Sequence, residues 1–206
     1  MTTAQVVGID LSPIQPTWIP PNVQFLVDDI EDTWHYRQKF DLIHSRMMVG
    51  SFHDWPAFIS NAFTWTRPNG YLELQDVESL CCDDDTFTAD PPSCRLAEWW
   101  SLVLQGFRCA GRPLDAALKH KERMLAAGFV DVQESLLKWP INTWPKDEHM
   151  KKIGLFSQEN TSQVLEAFAL APLTRFLGWS KEEVQVLCAG ARTDIMNTRL
   201  HAYWNM

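Results

Sequence analysis

Gln5-Val6-Val7-Gly8-Ile9-Asp10 is the stretch on which the fold of this chain turns. A short apolar run that ends in a carboxylate reads as a buried strand with an acid at its tip. In nucleotide-binding α/β sheets that strand comes second, and its acid meets a ribose. The strand and glycine-rich turn that precede it in such sheets would lie ahead of residue 1. The sheet formed by these residues is therefore expected to be incomplete, with unpaired strand edges.

The segments that follow keep the same rhythm. Ser12-Pro13-Ile14-Gln15-Pro16 and Trp18-Ile19-Pro20-Pro21-Asn22 hold too many prolines for a helix, so a rigid loop is expected there. Val23 to Val27 is a second apolar run and leads into Asp28-Asp29-Ile30-Glu31. Phe40-Asp41-Leu42-Ile43-His44 is a third. Asp54-Trp55-Pro56 opens a helix to about Thr66, with an N-cap aspartate and an early proline. After the turn Arg67-Pro68-Asn69-Gly70, Tyr71 to Asp76 alternates as a fourth strand. Short strands separated by helix or loop predict an α/β sheet, mostly parallel.

The remainder reads as largely helical. Pro91-Pro92-Ser93 caps a helix whose Leu96, Trp99, Trp100 and Val103 form one apolar stripe. Leu114 to Ala127 reads as a helix stopped by Gly128, and Phe129 to Trp139 as a strand. Three helices are expected between Trp144 and Leu200, near 146–158, near 161–177, and from a Ser180 cap with Glu183 three residues on. His201 to Met206 reads as the start of a strand. Two parts follow, an α/β core over residues 1–140 and an added helical region over 141–206 that packs on it.

Composition narrows the functional classes. A net charge of −8, with no block of Lys or Arg, argues against a nucleic-acid or anionic-membrane surface, because phosphate binding needs clustered cations. A small-molecule substrate, a protein partner or a second copy of the chain fits better. No apolar run reaches membrane-spanning length, and Met1-Thr2-Thr3-Ala4 lacks the features of a secretory signal, which points to the cytoplasm or nucleus. Five cysteines without CxxC spacing fit reduced thiols. Cys81-Cys82-Asp83-Asp84-Asp85 has no histidine at ligand spacing and reads as a solvated acidic loop, so no metal site is expected.

Ligands of open parallel sheets bind beyond the carboxyl ends of the strands, and Asp10, Asp29 and His44 are expected at such ends. One acid there can accept from both hydroxyls of a ribose, and another from an exocyclic adenine amine. Either acid alone reads equally well as a turn residue or helix cap. Their order in the chain is what favours the joint reading.

The segments Val7 to Pro16, Trp18 to Val23, Phe40 to His44, Asp54-Trp55-Pro56 and Gly70 to Asp76 resemble the fungal LaeA-like class I S-adenosylmethionine (SAM) methyltransferases. Lys138 to Asn142, Leu177 to Glu183 and His201 to Trp204 resemble the distal part of the same family. The resemblance implies a Rossmann-like methyltransferase fold, SAM as cofactor, and a role in fungal secondary metabolism. Carried over by position, Asp10 takes the SAM ribose, and Asp29 with Ile30 brackets adenine. His44, Ser45 and Arg46 line the methionine arm. Methyl transfer is an in-line displacement, so the protein mainly aligns a nucleophile and excludes water. His44 could act as a general base, or be a wall histidine bonded to backbone. Trp99 and Trp100 are expected either to line a substrate pocket or to pack in the core.

Three functions are compatible with these residues. The first is SAM-dependent methylation of an O or N atom of a small molecule. The second keeps the pocket and dispenses with SAM, as a cyclase or pericyclase-like enzyme. The third is a non-catalytic regulatory or interaction protein that works through its exposed strand edges and tryptophan-rich surface.

Overall fold

The computed structural model describes residues 4–89 and 91–206; the Met1-Thr2-Thr3 start discussed above lies outside them. Strand β1 (Val6–Asp10) lies parallel to β2 (Val23–Val27), in register from Val6 opposite Val23 to Asp10 opposite Val27. The proline-rich loop joins them without a helix. The loop between them cannot turn helical, and neither strand is buried as the sequence implies: Val6, Phe25 and Val27 are exposed and the rest of β1 is half-buried, because each strand has a single neighbour among the described residues.

A second parallel pair, β3 (Phe40–Arg46) with β4 (Thr66–Gln75), is bridged by helix α1 (Trp55–Trp65). Asp54 caps α1 by accepting from the Ala57 N–H at 2.9 Å. At the other end the Thr66 hydroxyl donates to the Ala62 carbonyl. The turn Arg67 to Gly70 is taken into β4 as an irregularity, with Asn69 in the left-handed region and Arg67 holding both carboxylate oxygens of Asp41. Among the described residues β1 pairs only with β2, and β3 only with β4.

The third sheet is antiparallel, in the order β5-β7-β6, from β5 (Ser79–Cys82), β6 (Lys138–Pro140) and β7 (Ala202–Asn205). β5 was not anticipated from the sequence. The strand expected over Phe129–Trp139 shrinks to Lys138–Pro140, because the four residues of β7 are all the ladder it can pair with. Val130, Leu136 and Leu137 are left exposed before it.

Helix α2 (Arg95–Cys109) starts one residue later than the Pro-Pro-Ser signal implies, with Cys94 as its cap. The helix expected over Leu114–Ala127 divides into a 3-10 turn at Ala116–Lys119 and α3 (His120–Ala127), which ends at Gly128 with φ +109°. Two of the expected distal helices are one: α4 runs unbroken over Glu148–Phe176, since nothing between Gln158 and Thr161 breaks it. Its Pro172 is accommodated where α2 presents Gly106, a position at which a Cβ would collide with the proline. Helix α5 (Lys181–Met196) carries the expected capping box between Ser180 and Glu183.

Two apolar cores result. The first centres on Trp34, Phe52, Trp55, Phe58 and Ile59, between α1 and the β3–β4 pair. The second joins α2, α4, α5 and the third sheet through Trp99, Val103, Leu165, Leu173, Leu187 and Ile195. α2 belongs to residues 1–140 and α4 and α5 to 141–206, so the two expected parts share one core. The fold is α/β and Rossmann-like, with small sheets in place of one continuous sheet.

Candidate functional site

Asp10 and Asp29 stand at the tips of adjacent strands and line one crevice of about 220 Å³ together with Ile9, Ile30, Met48 and Phe52. The Asp28 N–H donates to the Asp10 carbonyl at 3.1 Å, which ties the two tips together. Each acid organises its own turn through one oxygen. Asp10 Oδ1 accepts from the Ser12 N–H at 2.8 Å, and Asp29 Oδ1 from the Glu31 N–H at 2.9 Å. The second oxygen of each remains to accept from a ligand.

Glu31 also lines the crevice and reaches across to α1, where its Oε1 accepts from the N–H groups of His53 (2.8 Å) and Asp54 (2.9 Å). It thereby satisfies amides left open at the helix start. Arg112 sits on the same wall, 3.9 Å from Glu31 Oε2, and places one cation among four acids. The sequence reading missed both, because their partners lie 22 residues or more away in the chain.

The loop Met47-Met48-Val49 follows β3 directly. Its Met47 is held at φ +56°, with the Met47 N–H donating to the Gln75 carbonyl. Asp76 Oδ1, just beyond β4, accepts from the N–H groups of Met48 (2.6 Å) and Val49 (3.1 Å). Met48 lines the crevice, while Met47 and Val49 line a second, larger cavity of about 820 Å³. One three-residue loop is thus the partition between the two spaces.

Trp99 and Trp100 both wall the larger cavity, and both are buried in the second core. The Trp99 indole N–H donates to the Leu165 carbonyl at 3.2 Å. Trp100 meets Trp204 edge to face at 5.2 Å. The two readings of these tryptophans, pocket wall and core, describe the same side chains.

His44, Ser45 and Arg46 are placed elsewhere. His44 lies two residues before the end of β3, where its Nδ1 pairs with Glu73 Oε2 across the strands at 2.9 Å, both side chains about half exposed. Glu73 is held below the usual carboxylate range by hydrogen bonds from Gln75 and His44. Ser45 is buried and Arg46 exposed, and none of the three lines either cavity. Among the described residues no group of three or more His, Cys, Asp or Glu is arranged to hold a metal ion. No described helix is long and apolar enough to cross a membrane.

An α/β frame with acids at adjacent strand tips is the architecture of class I methyltransferases, and the methyltransferase-domain family matches residues 2–173. The chain belongs to that family, in its LaeA-like branch. It is 38% identical over 201 residues to methyltransferase pytC of Aspergillus terreus, covering 97% of this chain and 61% of that protein. The secondary metabolism regulator LAE1 of Cochliobolus heterostrophus is 38% identical over 210 residues, with 98% of this chain and 67% of the relative covered. The probable methyltransferase tdiE of Emericella nidulans is 31% identical over 205 residues, with 98% and 63% covered. The chain therefore spans about 61% to 67% of the length of these curated relatives.

Proposed function

We propose that this chain carries the adenosine-binding part and the acceptor pocket of a SAM-dependent methyltransferase of fungal secondary metabolism, acting on an O or N atom of a small molecule. The observation that carries the reading is the joint placement of Asp10 and Asp29 on one crevice, with a large apolar cavity on the other side of the Met47–Val49 loop. SAM, when bound, supplies a methyl group already activated by its sulfonium.

The residues of the crevice fit the adenosine end of that cofactor. Asp10, with one oxygen committed to its own turn, offers the other to a ribose hydroxyl. Asp29 offers the same to an adenine amine, while Ile30, Met48 and Phe52 supply apolar surface for the base. The Asp76-held loop sets the two compartments side by side, so that an acceptor in the larger one would have to reach past Met47–Val49 to lie in line with the sulfonium methyl. Calorimetric titration with SAM and with S-adenosylhomocysteine tests the proposal. Saturable binding that Asp10→Ala weakens is expected, and folded protein that binds neither compound overturns it.

A second reading follows from the likeness to LAE1 of Cochliobolus heterostrophus, a secondary metabolism regulator. Leu42 and Tyr71 lie opposite each other in the β3–β4 register and are 55% and 73% exposed, which leaves apolar sheet surface for a protein partner. Light scattering after size exclusion separates the two. A well-behaved monomer that binds SAM favours the enzyme.

A further inference from the structure

Four indoles wall the 820 Å³ cavity: Trp99 and Trp100 from α2, Trp139 from β6 and Trp204 from β7. Among the described residues its lining contains no ionisable side chain. Its polar side chains are Ser157, Asn160 and Thr161, which fall three and four residues apart and so share one face of α4. Thr161 is already engaged, since its Oγ1 accepts from the Trp204 indole N–H at 3.4 Å. Ser157 and Asn160 are left as neutral donors and acceptors beside an aromatic wall.

Each of these properties restricts the ligand. A charged group that enters a site without a counter-ion loses its hydration with nothing to replace it, at a cost of several kcal/mol. Amino acids, nucleotides, acyl thioesters of coenzyme A and protonated lysine side chains are all disfavoured on that ground. The volume lies in the upper part of the range of roughly 300–1,000 Å³ that drug-sized ligands occupy. Flat indole faces held rigidly, as Trp100 is by Trp204, suit planar rings, which pack offset or edge on. The polar stripe on one side asks for hydroxyl or carbonyl groups along one edge of an otherwise apolar body.

We infer that this cavity takes a neutral fused-ring molecule, mostly apolar, with phenolic hydroxyl or carbonyl groups on one edge, as the methyl acceptor. The inference rests on the methyltransferase reading for the word acceptor; the ligand class rests on the cavity alone. Val164 and Phe168 continue the apolar α4 wall beyond the polar stripe.

The test uses the 206-residue chain with 9-phenanthrol as the neutral probe and phenanthrene-9-carboxylate as its anionic counterpart, followed by calorimetry and tryptophan fluorescence near neutral pH. The expected result is one-to-one binding of phenanthrol, tighter than the carboxylate by about tenfold or more. Val164→Trp projects a bulky ring into part of the cavity, against the indole wall, and is expected to weaken phenanthrol by severalfold or more. Asn160→Lys, at an exposed position of α4, brings a cation to the rim and is expected to erase or reverse the preference. A cooperative thermal melt establishes that each variant is folded.

Equal or tighter binding of the carboxylate by the parent chain overturns the inference. So does phenanthrol binding that neither variant changes, failure of the folded chain to bind phenanthrol, or a stable dimer that phenanthrol does not compete with. SAM calorimetry on the same samples keeps the two ideas apart. SAM binding without phenanthrol binding removes the ligand class and leaves the methyltransferase reading. Phenanthrol binding without SAM binding does the opposite.

Discussion

Asp76 and His120, forty-four residues apart, meet with Asp76 Oδ2 3.2 Å from His120 Nε2, the carboxylate fully shielded from solvent and the imidazole nearly so. The contact uses the imidazole as donor. The other oxygen of Asp76 holds the Met48 and Val49 amides, so a single carboxylate joins α3 to the partition between the two cavities. The Trp55 ring packs on the imidazole at 4.3 Å and completes the enclosure.

Asp76→Ala is therefore expected to cost about 2–3 kcal/mol, because two backbone donors and an imidazole nitrogen lose their acceptor in a buried place. Urea unfolding measures the loss directly. Asp76→Asn keeps an acceptor oxygen for the two amides and is expected to cost less. Equal losses for the two substitutions would show that the hydrogen bonds at Met48 and Val49 are not what holds the loop.

Asp10→Ala is expected to weaken SAM binding by about tenfold or more, the worth of a hydrogen bond to a charged acceptor, with little change in melting temperature. His44→Ala is expected to leave SAM affinity within about twofold, because the imidazole spends its contact on Glu73 at the half-exposed sheet face. Calorimetry reads both. A loss at His44 as large as at Asp10 would restore the histidine to the cofactor site.

Asn142 is fully buried, and its Nδ2 lies 3.1 Å from the Ile195 carbonyl, 3.2 Å from that of Asn197 and 3.4 Å from that of Leu200. Its Oδ1 accepts from the Trp144 N–H. Asn142→Ala is expected to cost about 2–3 kcal/mol by stranding the carbonyls at the end of α5. Gly154→Ala is expected to be at least as harmful, since a Cβ on α4 would run into the Asn142 carbonyl, which is backbone and cannot step aside. Thermal melts of the two variants check both expectations.

The thiols differ sharply. Cys188 is buried between α5 and α2, and burial pushes its pKa from 9.0 up to about 11, so the folded state holds the proton more tightly than the unfolded one. Its contribution to stability is full below pH 9.0 and is lost as the pH rises toward 11. At the other end of the scale, the Ser180 backbone and hydroxyl hold Glu183 below the usual carboxylate range. That contribution is present above pH 4.5 and fades as the pH falls through the lowered value. Alkylation near neutral pH is expected to label exposed Cys109 and spare Cys188 until the protein unfolds, which mass spectrometry of digested protein resolves.

Much of this arrangement was readable from local signals. The tips at Asp10 and Asp29 follow from apolar runs that end in acids, and the α1 and α5 caps from Asp54 and from Ser180 with Glu183. The rest depends on partners distant in the chain. β5 is four residues without alternation and becomes a strand only because residues 202–205 lie beside it. Glu31 reads as one acid in an acidic run, and its task of closing the start of α1 is visible only in three dimensions. The polar run Gln158 to Thr161 reads as a break in the sequence, yet it carries no Gly or Pro, and α4 continues through it with Glu159 and Asn160 exposed and Thr161 buried.

In the third sheet the last strand of the chain lies in the middle, β7 between β5 and β6. During synthesis β5 emerges early and β6 later, and neither has its neighbour until residues 202–205 are made. The second core, which includes Leu200, Ala202 and Trp204, is consequently completed only when the last residues are made, whereas the α1 core draws on no residue beyond Phe129. A nascent chain between those two points lacks the strand that pairs with both β5 and β6, and lacks the Trp204 ring that meets Trp100 edge to face.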